Sequence, residues 1–186
     1  MILYINACVR QDSRTEKLAK HLLSKLTGDV KEIRLADTAL PTVDEDFINK
    51  RNALVAKGDF SDKIFDFAKE FATAETIVIA APMWDLSFPA ILKKYFEQIC
   101  SIGVTFVYNE NGIPEGLCKA NKLYYVMTAG GPHVPEEYGY GYVKALCDNF
   151  YGITDTQLIS AVGLDIVGAD VEAIMEEAKS RIDAEF

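Results

Sequence analysis

Three short segments of the chain carry residue types that can do chemistry. "NACVRQDSRTEKLA" (6–19) holds Cys8, two arginines and a Ser-Arg-Thr run. "APMWDLSFPAILK" (81–93) crowds Met83, the chain's only tryptophan, Trp84, and then Asp85 and Leu86 into a few residues after Pro82. "TAGGPH" (128–133) offers adjacent glycines and one of the two histidines, His133. The first segment suits an anion. Hydroxyls and N–H groups at a helix start meet a phosphate with free donors and a favourable dipole, and Arg14 adds charge-assisted donors. The same spacing, Ser13-x-x-Glu16, is also a capping box, in which the Ser13 hydroxyl serves the helix itself. The second segment could flank a planar group with an aromatic ring and Met83 as soft contact; taken alone, Trp84 reads first as a packing residue of the core or an interface. The third lets backbone approach a ligand closely, with His133 either a surface residue or a donor to a carbonyl or phosphate.

The elements that position these segments follow from hydrophobic pattern. Apolar runs at 2–6, 30–35, 76–81, 122–128 and 156–164 are expected strands, and the continuous ones are those of a sheet buried on both faces. Between them lie amphipathic stretches at 15–27, 61–73, 89–101, 137–151 and 170–183, with a weaker helical pattern over 44–58. Leu18, Leu22 and Leu26 share one face of the first stretch, and Gly28 is its expected C-terminal cap. The 36–60 and 104–121 stretches are excursions from this plan. Strands alternating with helices predict an open, doubly wound α/β sheet of five parallel strands with helices on both faces, forming a single domain over residues 1–186. In such sheets ligands bind beyond the carboxyl ends of the strands, at the switch in strand order. The three segments follow strands one, three and four, so they converge on one crevice. A phosphate cradle, an aromatic turn and a glycine-rich wall outline a flat heterocycle on a monophosphate, and flavin mononucleotide (FMN) is the candidate.

Composition narrows the alternatives. Nineteen basic against 28 acidic residues give a net charge of −9, which repels nucleic acid and anionic membrane. No stretch has the roughly 18 apolar residues of a membrane span, and the N-terminus does not read as a secretory signal. Cys8, Cys100, Cys118 and Cys147 lie far apart without a C-x-x-C pair, which argues against zinc or a disulfide framework and for reduced thiols in a cytoplasm. The first loop lacks both G-x-G-x-x-G and G-x-x-x-x-G-K-[ST], which excludes the usual dinucleotide and nucleoside-triphosphate turns.

The stretch "APMWDLSFPAILKKYFEQICSIGVTFVYNENGIPEGL" (81–117) closely resembles the central segment of the FMN-dependent NADH-azoreductases, within the NAD(P)H:quinone oxidoreductases of flavodoxin-like fold. "TAGGPH" resembles that family's R-G-G loop, "YGITD" (151–155) its F-x-G-x-x-D segment, and "DSRT" its S-x-S phosphate turn. The resemblance implies two-electron transfer from NAD(P)H to planar quinones or azo compounds by a ping-pong sequence, with FMN as cofactor and a homodimer as the assembly. It implies that Ser13, Arg14 and Thr15 hold the phosphate with Cys8 nearby. Pro82, Met83, Trp84, Asp85 and Leu86 would line the flavin ring, with Thr128, Ala129, Gly130 and Gly131 at its other edge and His133 near the pyrimidine end. Four positions depart from the family: Cys8 for Ser, Trp84 for Tyr, Asp85 for Asn and Ala129 for Arg. A carboxylate at Asp85 facing the ring would disfavour the anionic reduced form, so Asp85→Asn is expected to raise the flavin potential or quicken turnover. The rival expectation is a flavodoxin-type electron carrier or a non-catalytic flavin-binding protein.

Overall fold

A computed structural model describes all residues, 1–186. Five parallel strands form the central sheet: β1 (Ile2–Asn6), β2 (Val30–Arg34), β3 (Thr76–Ala80), β6 (Lys122–Thr128) and β7 (Asp155–Ala161), in the order β2-β1-β3-β6-β7. The hairpin β4 (Phe106–Tyr108) and β5 (Pro114–Gly116) lies within the 104–121 excursion. The chain runs outward from β1 to β2 and then crosses back to β3 on the other side. The switch in strand order therefore falls between β1 and β3, where the sequence pattern places the ligand.

Alternation along each strand builds two cores. Ile2, Tyr4, Val78, Ala80, Val126 and Ile159 face α1 (Arg14–Leu23) and α6 (Val171–Glu185), meeting Leu18, Leu22, Ala178 and Ile182. Leu3, Ile5, Ile77, Ile79, Leu123 and Tyr125 face the opposite layer, α3 (Asp66–Thr73), α4 (Ala90–Ile99) and α5 (Tyr140–Leu146), whose Phe71, Leu92, Tyr95, Phe96 and Val143 fill it. α2 (Glu45–Ala56) forms where the weak pattern falls, capped by Asp44 on the Phe47 N–H, and buries no residue.

Several boundaries differ from the sequence expectation. α1 stops at Leu23 with Ser24 as its cap; Gly28, at φ 125°, turns the chain into β2 instead. The fifth strand ends at Ala161, because Val162–Leu164 turn away and Leu164 N–H donates to the Ala129 carbonyl at 3.2 Å. The expected helix over 137–151 divides into a short 3-10 turn, α5 and a π turn over Cys147–Tyr151, and Tyr138, expected on its buried face, is exposed.

Candidate functional site

A cleft of about 820 Å³ opens where the carboxyl ends of β1, β3, β6 and β7 meet. Its walls are Val9–Lys17 with gaps, Pro82–Trp84, Thr128–Gly130, Leu164–Asp165 and the side of α6 that carries Val171, Met175 and Lys179. Of the residues singled out in the sequence, Ser13, Arg14, Thr15, Pro82, Met83, Trp84, Thr128, Ala129 and Gly130 line it together. Cys8, Asp85, Leu86, Gly131 and His133 do not.

Ser13 is the N-cap of α1, and its hydroxyl accepts the Glu16 N–H at 3.3 Å. The capping reading of Ser13 is thus realised, but only half of the box forms. Glu16 turns away from Ser13 and takes Arg34 at 2.9 Å and Lys20 at 2.7 Å. Burial alone would raise the Glu16 carboxyl, but the hydrogen bonds from Lys20 and Arg34 outweigh it and hold the group below the usual carboxylate range. The N–H groups of Arg14 and Thr15, in the first turn, have no intrahelical acceptor and remain donors for a ligand. Across the cleft the Thr15 and Thr128 hydroxyls sit 2.6 Å apart, both buried, tying the helix start to the end of β6. Arg14 reaches Asp165 at 2.8 Å and the Leu164 carbonyl at 3.4 Å, so its guanidinium is oriented by the loop after β7.

Cys8 lies behind this wall, fully buried, with its N–H given to the Asn6 side chain at 3.0 Å. Burial pushes its thiol up to about 11, against a smaller opposing pull from Ser13. The local backbone explains how Trp84 is presented. Trp84 and Ser87 exchange N–H···O=C bonds at 2.8 Å in both directions, closing a two-residue turn. Its central residues Asp85 and Leu86 have φ of 49° and 69°, the left-handed region usually left to glycine. The Ser87 hydroxyl ties the turn to the Tyr138 carbonyl. The tip carries Asp85 and Leu86 into solvent, while Met83 and Trp84 at its base face the cleft.

Gly130 leaves room for Asp165: a Cβ there would stand 2.3 Å from Asp165 Oδ2 and 2.9 Å from its Cγ, so a side chain would displace that carboxylate from Arg14. Asp165, Leu164 and the α6 face are lining residues that the sequence reasoning missed, because it considered the loops after three strands only. The same rule applied to the fifth strand, at "AVGLD" (161–165), would have found Leu164 and Asp165.

A five-stranded parallel sheet in this order, with a cleft at its switch point, is the architecture of one class. The chain belongs to the flavodoxin-like fold family, whose profile matches residues 1–186. It is 36% identical, over 97% of its length and 94% of the relative's, to the FMN-dependent NADH:quinone oxidoreductase of Lachnoclostridium phytofermentans. The relative of the same name from Coprothermobacter proteolyticus is 33% identical over 95% of this chain and 93% of its own. Among solved structures, the azoreductase from Bacillus anthracis superposes with a TM-score of 0.83 at 24% identity, covering 99% of this chain and 97% of that one, a likeness of fold.

Proposed function

We infer that this chain is an oxidoreductase that holds FMN in the cleft and transfers two electrons from NADH to quinones or azo compounds. The observation that carries the reading is the pairing of walls: free first-turn N–H groups of α1 at one end, Met83, Trp84 and the Thr128–Gly130 backbone at the other. The identity with relatives named FMN-dependent NADH:quinone oxidoreductases supports it. The donor set fits the cofactor: uncharged hydroxyls and N–H groups for a phosphate monoester, soft and aromatic surface for a planar ring, and a volume within the range of small-molecule sites.

When bound, FMN would supply the two-electron redox chemistry that links NADH to the acceptor. The chain's own residues bind and orient. The Arg14 and Thr15 N–H groups and the Ser13 and Thr15 hydroxyls would hold the phosphate, with Arg14 steadied by Asp165. Met83 and Trp84 would flank the ring and narrow the water-accessible face, and the Ala129–Gly130 backbone would meet its other edge. Asp85, Leu86, Gly131 and His133 are all exposed and lie outside the cleft lining, so solvent would supply protons to the acceptor. Cys8 supports the phosphate loop from behind.

An absorbance spectrum of the purified protein followed by anaerobic NADH titration tests this. A yellow protein that NADH bleaches, and that turns over menadione, is expected. A colourless protein that fails to quench added FMN fluorescence defeats the cofactor assignment. Flavin that stays oxidised under NADH defeats the enzyme and leaves a carrier. We further propose a homodimer, supported by exposed Ile102, Tyr108, Ile113 and Leu117 around the hairpin, with sedimentation as the check. Four unpaired cysteines support a reducing, cytoplasmic location.

A further inference from the structure

The edge strand β2 lies outside the cleft, yet two of its residues are wired to the helix and loop that form the cleft's N–H donor end. Glu32 and Arg34 stand two apart, so both point to the α1 face of the sheet, while Ile33 between them enters the opposite core. Glu32 accepts Asn6 Nδ2 at 2.9 Å, and Asn6 Oδ1 in turn accepts the Cys8 N–H at 3.0 Å. Arg34 donates to Glu16 Oε2 at 2.9 Å and also meets Asp37 at 3.3 Å. Glu16 is 6% exposed and sits in the first turn of α1, one residue after Thr15.

Its charge faces a conflict. A carboxylate in a first turn stabilises the helix dipole, but it opposes an anion brought to the same N–H groups. Two cations surround it. Lys20 on α1 is 60% exposed and flexible, so solvent screens it; Arg34 is 24% exposed and fixed by β2. The geometry points to Arg34 as a positioning residue for the cofactor's phosphate: by neutralising buried Glu16 it keeps the start of α1 able to receive a dianion. This rests on FMN being the ligand. Arg34 touches neither cofactor nor substrate and acts through Glu16. The charged groups about the pair are Lys20 on α1, Glu32 on β2 and Asp37 just beyond it.

The test compares dissociation constants of FMN and riboflavin, which lacks the phosphate, for apoprotein variants by flavin fluorescence quenching. Arg34→Gln is expected to weaken FMN about tenfold while leaving riboflavin within about twofold. Arg34→Lys should retain most of the FMN affinity. In the double variant Glu16→Gln/Arg34→Gln, FMN affinity should return to that of Glu16→Gln alone. A purely structural role for the bridge would weaken both flavins alike and would not be rescued by removing Glu16, and either result overturns the proposal. A wild-type protein that binds neither flavin defeats the FMN assignment, and this inference with it. A wild-type protein that binds FMN, with an unchanged FMN-to-riboflavin ratio in Arg34→Gln, defeats this inference alone.

Discussion

The Thr15–Thr128 hydroxyl pair is the sharpest test of how the cleft is held. Thr15 is 1% exposed and Thr128 8%, and the oxygens are 2.6 Å apart with no other side-chain partner for either. Thr128→Val keeps the shape of the side chain and removes one hydroxyl. It leaves the Thr15 oxygen buried without a partner, which costs about 1–3 kcal/mol. For a chain of 186 residues each kcal/mol corresponds to roughly 2–4 °C in Tm, so a loss of about 4–8 °C is expected for a mid-range penalty. The double variant Thr15→Val/Thr128→Val removes both polar groups, so it should recover most of that loss, giving a coupling of about 1–2 kcal/mol. Urea titration of the apoprotein measures this, with an unchanged m value showing that the unfolded state is not the cause. Repeating it with saturating FMN adds a second reading. If the Thr15 hydroxyl serves the phosphate, it regains a partner, and Thr128→Val becomes less damaging in the holoprotein. Equal stability of the single variant and wild type, within about 0.5 kcal/mol, would refute the argument that the pair is a buried, mutually satisfied contact.

Three further outcomes follow from the geometry. Leu86→Gly places glycine at a φ of 69° on a side chain already 58% exposed, so it relieves strain with little lost burial and should raise Tm by about 2 °C; a drop would mean that Leu86 is packed by a partner. Asp85→Asn should move the flavin potential by no more than about 10 mV, because an exposed charge at the turn tip is worth roughly 0.5 kcal/mol, in contrast to the larger effect expected for a carboxylate facing the ring; redox titration against a reference dye decides it. Stability should fall steeply above pH 9. Burial pushes Cys8 up to about 11 and Cys147 up to about 12 from 9.0, so the folded chain keeps protons that the unfolded chain releases. The stability present below pH 9 is lost as pH rises toward 11, at roughly 3 kcal/mol per pH unit for the two thiols, and a flat urea midpoint between pH 8 and 10.5 would contradict it.

Much of this was legible in the sequence because it rests on period. Leu18 and Leu22 fall on one helical face and are both fully buried, and the β-branched run 76–80 is a central strand. Ser13 carried two meanings, and the structure uses its hydroxyl as a cap while leaving the neighbouring N–H groups for a ligand. What pattern could not convey is long-range pairing. Nothing near Glu16 in the chain announces that Arg34 will neutralise it, or that Asp165 will take Arg14 from 151 residues away. The turn at Asp85–Leu86 lacks the glycine or asparagine that signals positive φ, so its shape follows from the Trp84–Ser87 bonds and not from local preference. Gly28 shows the converse: a glycine placed like a helix cap that instead shapes the entry to a strand.

The cleft is also a record of folding order. Its walls come from residues near 9–17, 82–84, 128–130, 164–165 and 171–179, so no contiguous piece of the chain contains it. Such a site closes late, after the parallel strands have registered, because contacts between distant segments form only once their loops have been drawn together. A ligand that needs every wall binds the finished molecule and none of its fragments, and its full binding free energy is then added to global stability, in proportion to the logarithm of its concentration over Kd. Cofactor supply would therefore set how much of the chain survives proteolysis as well as how much of it is active.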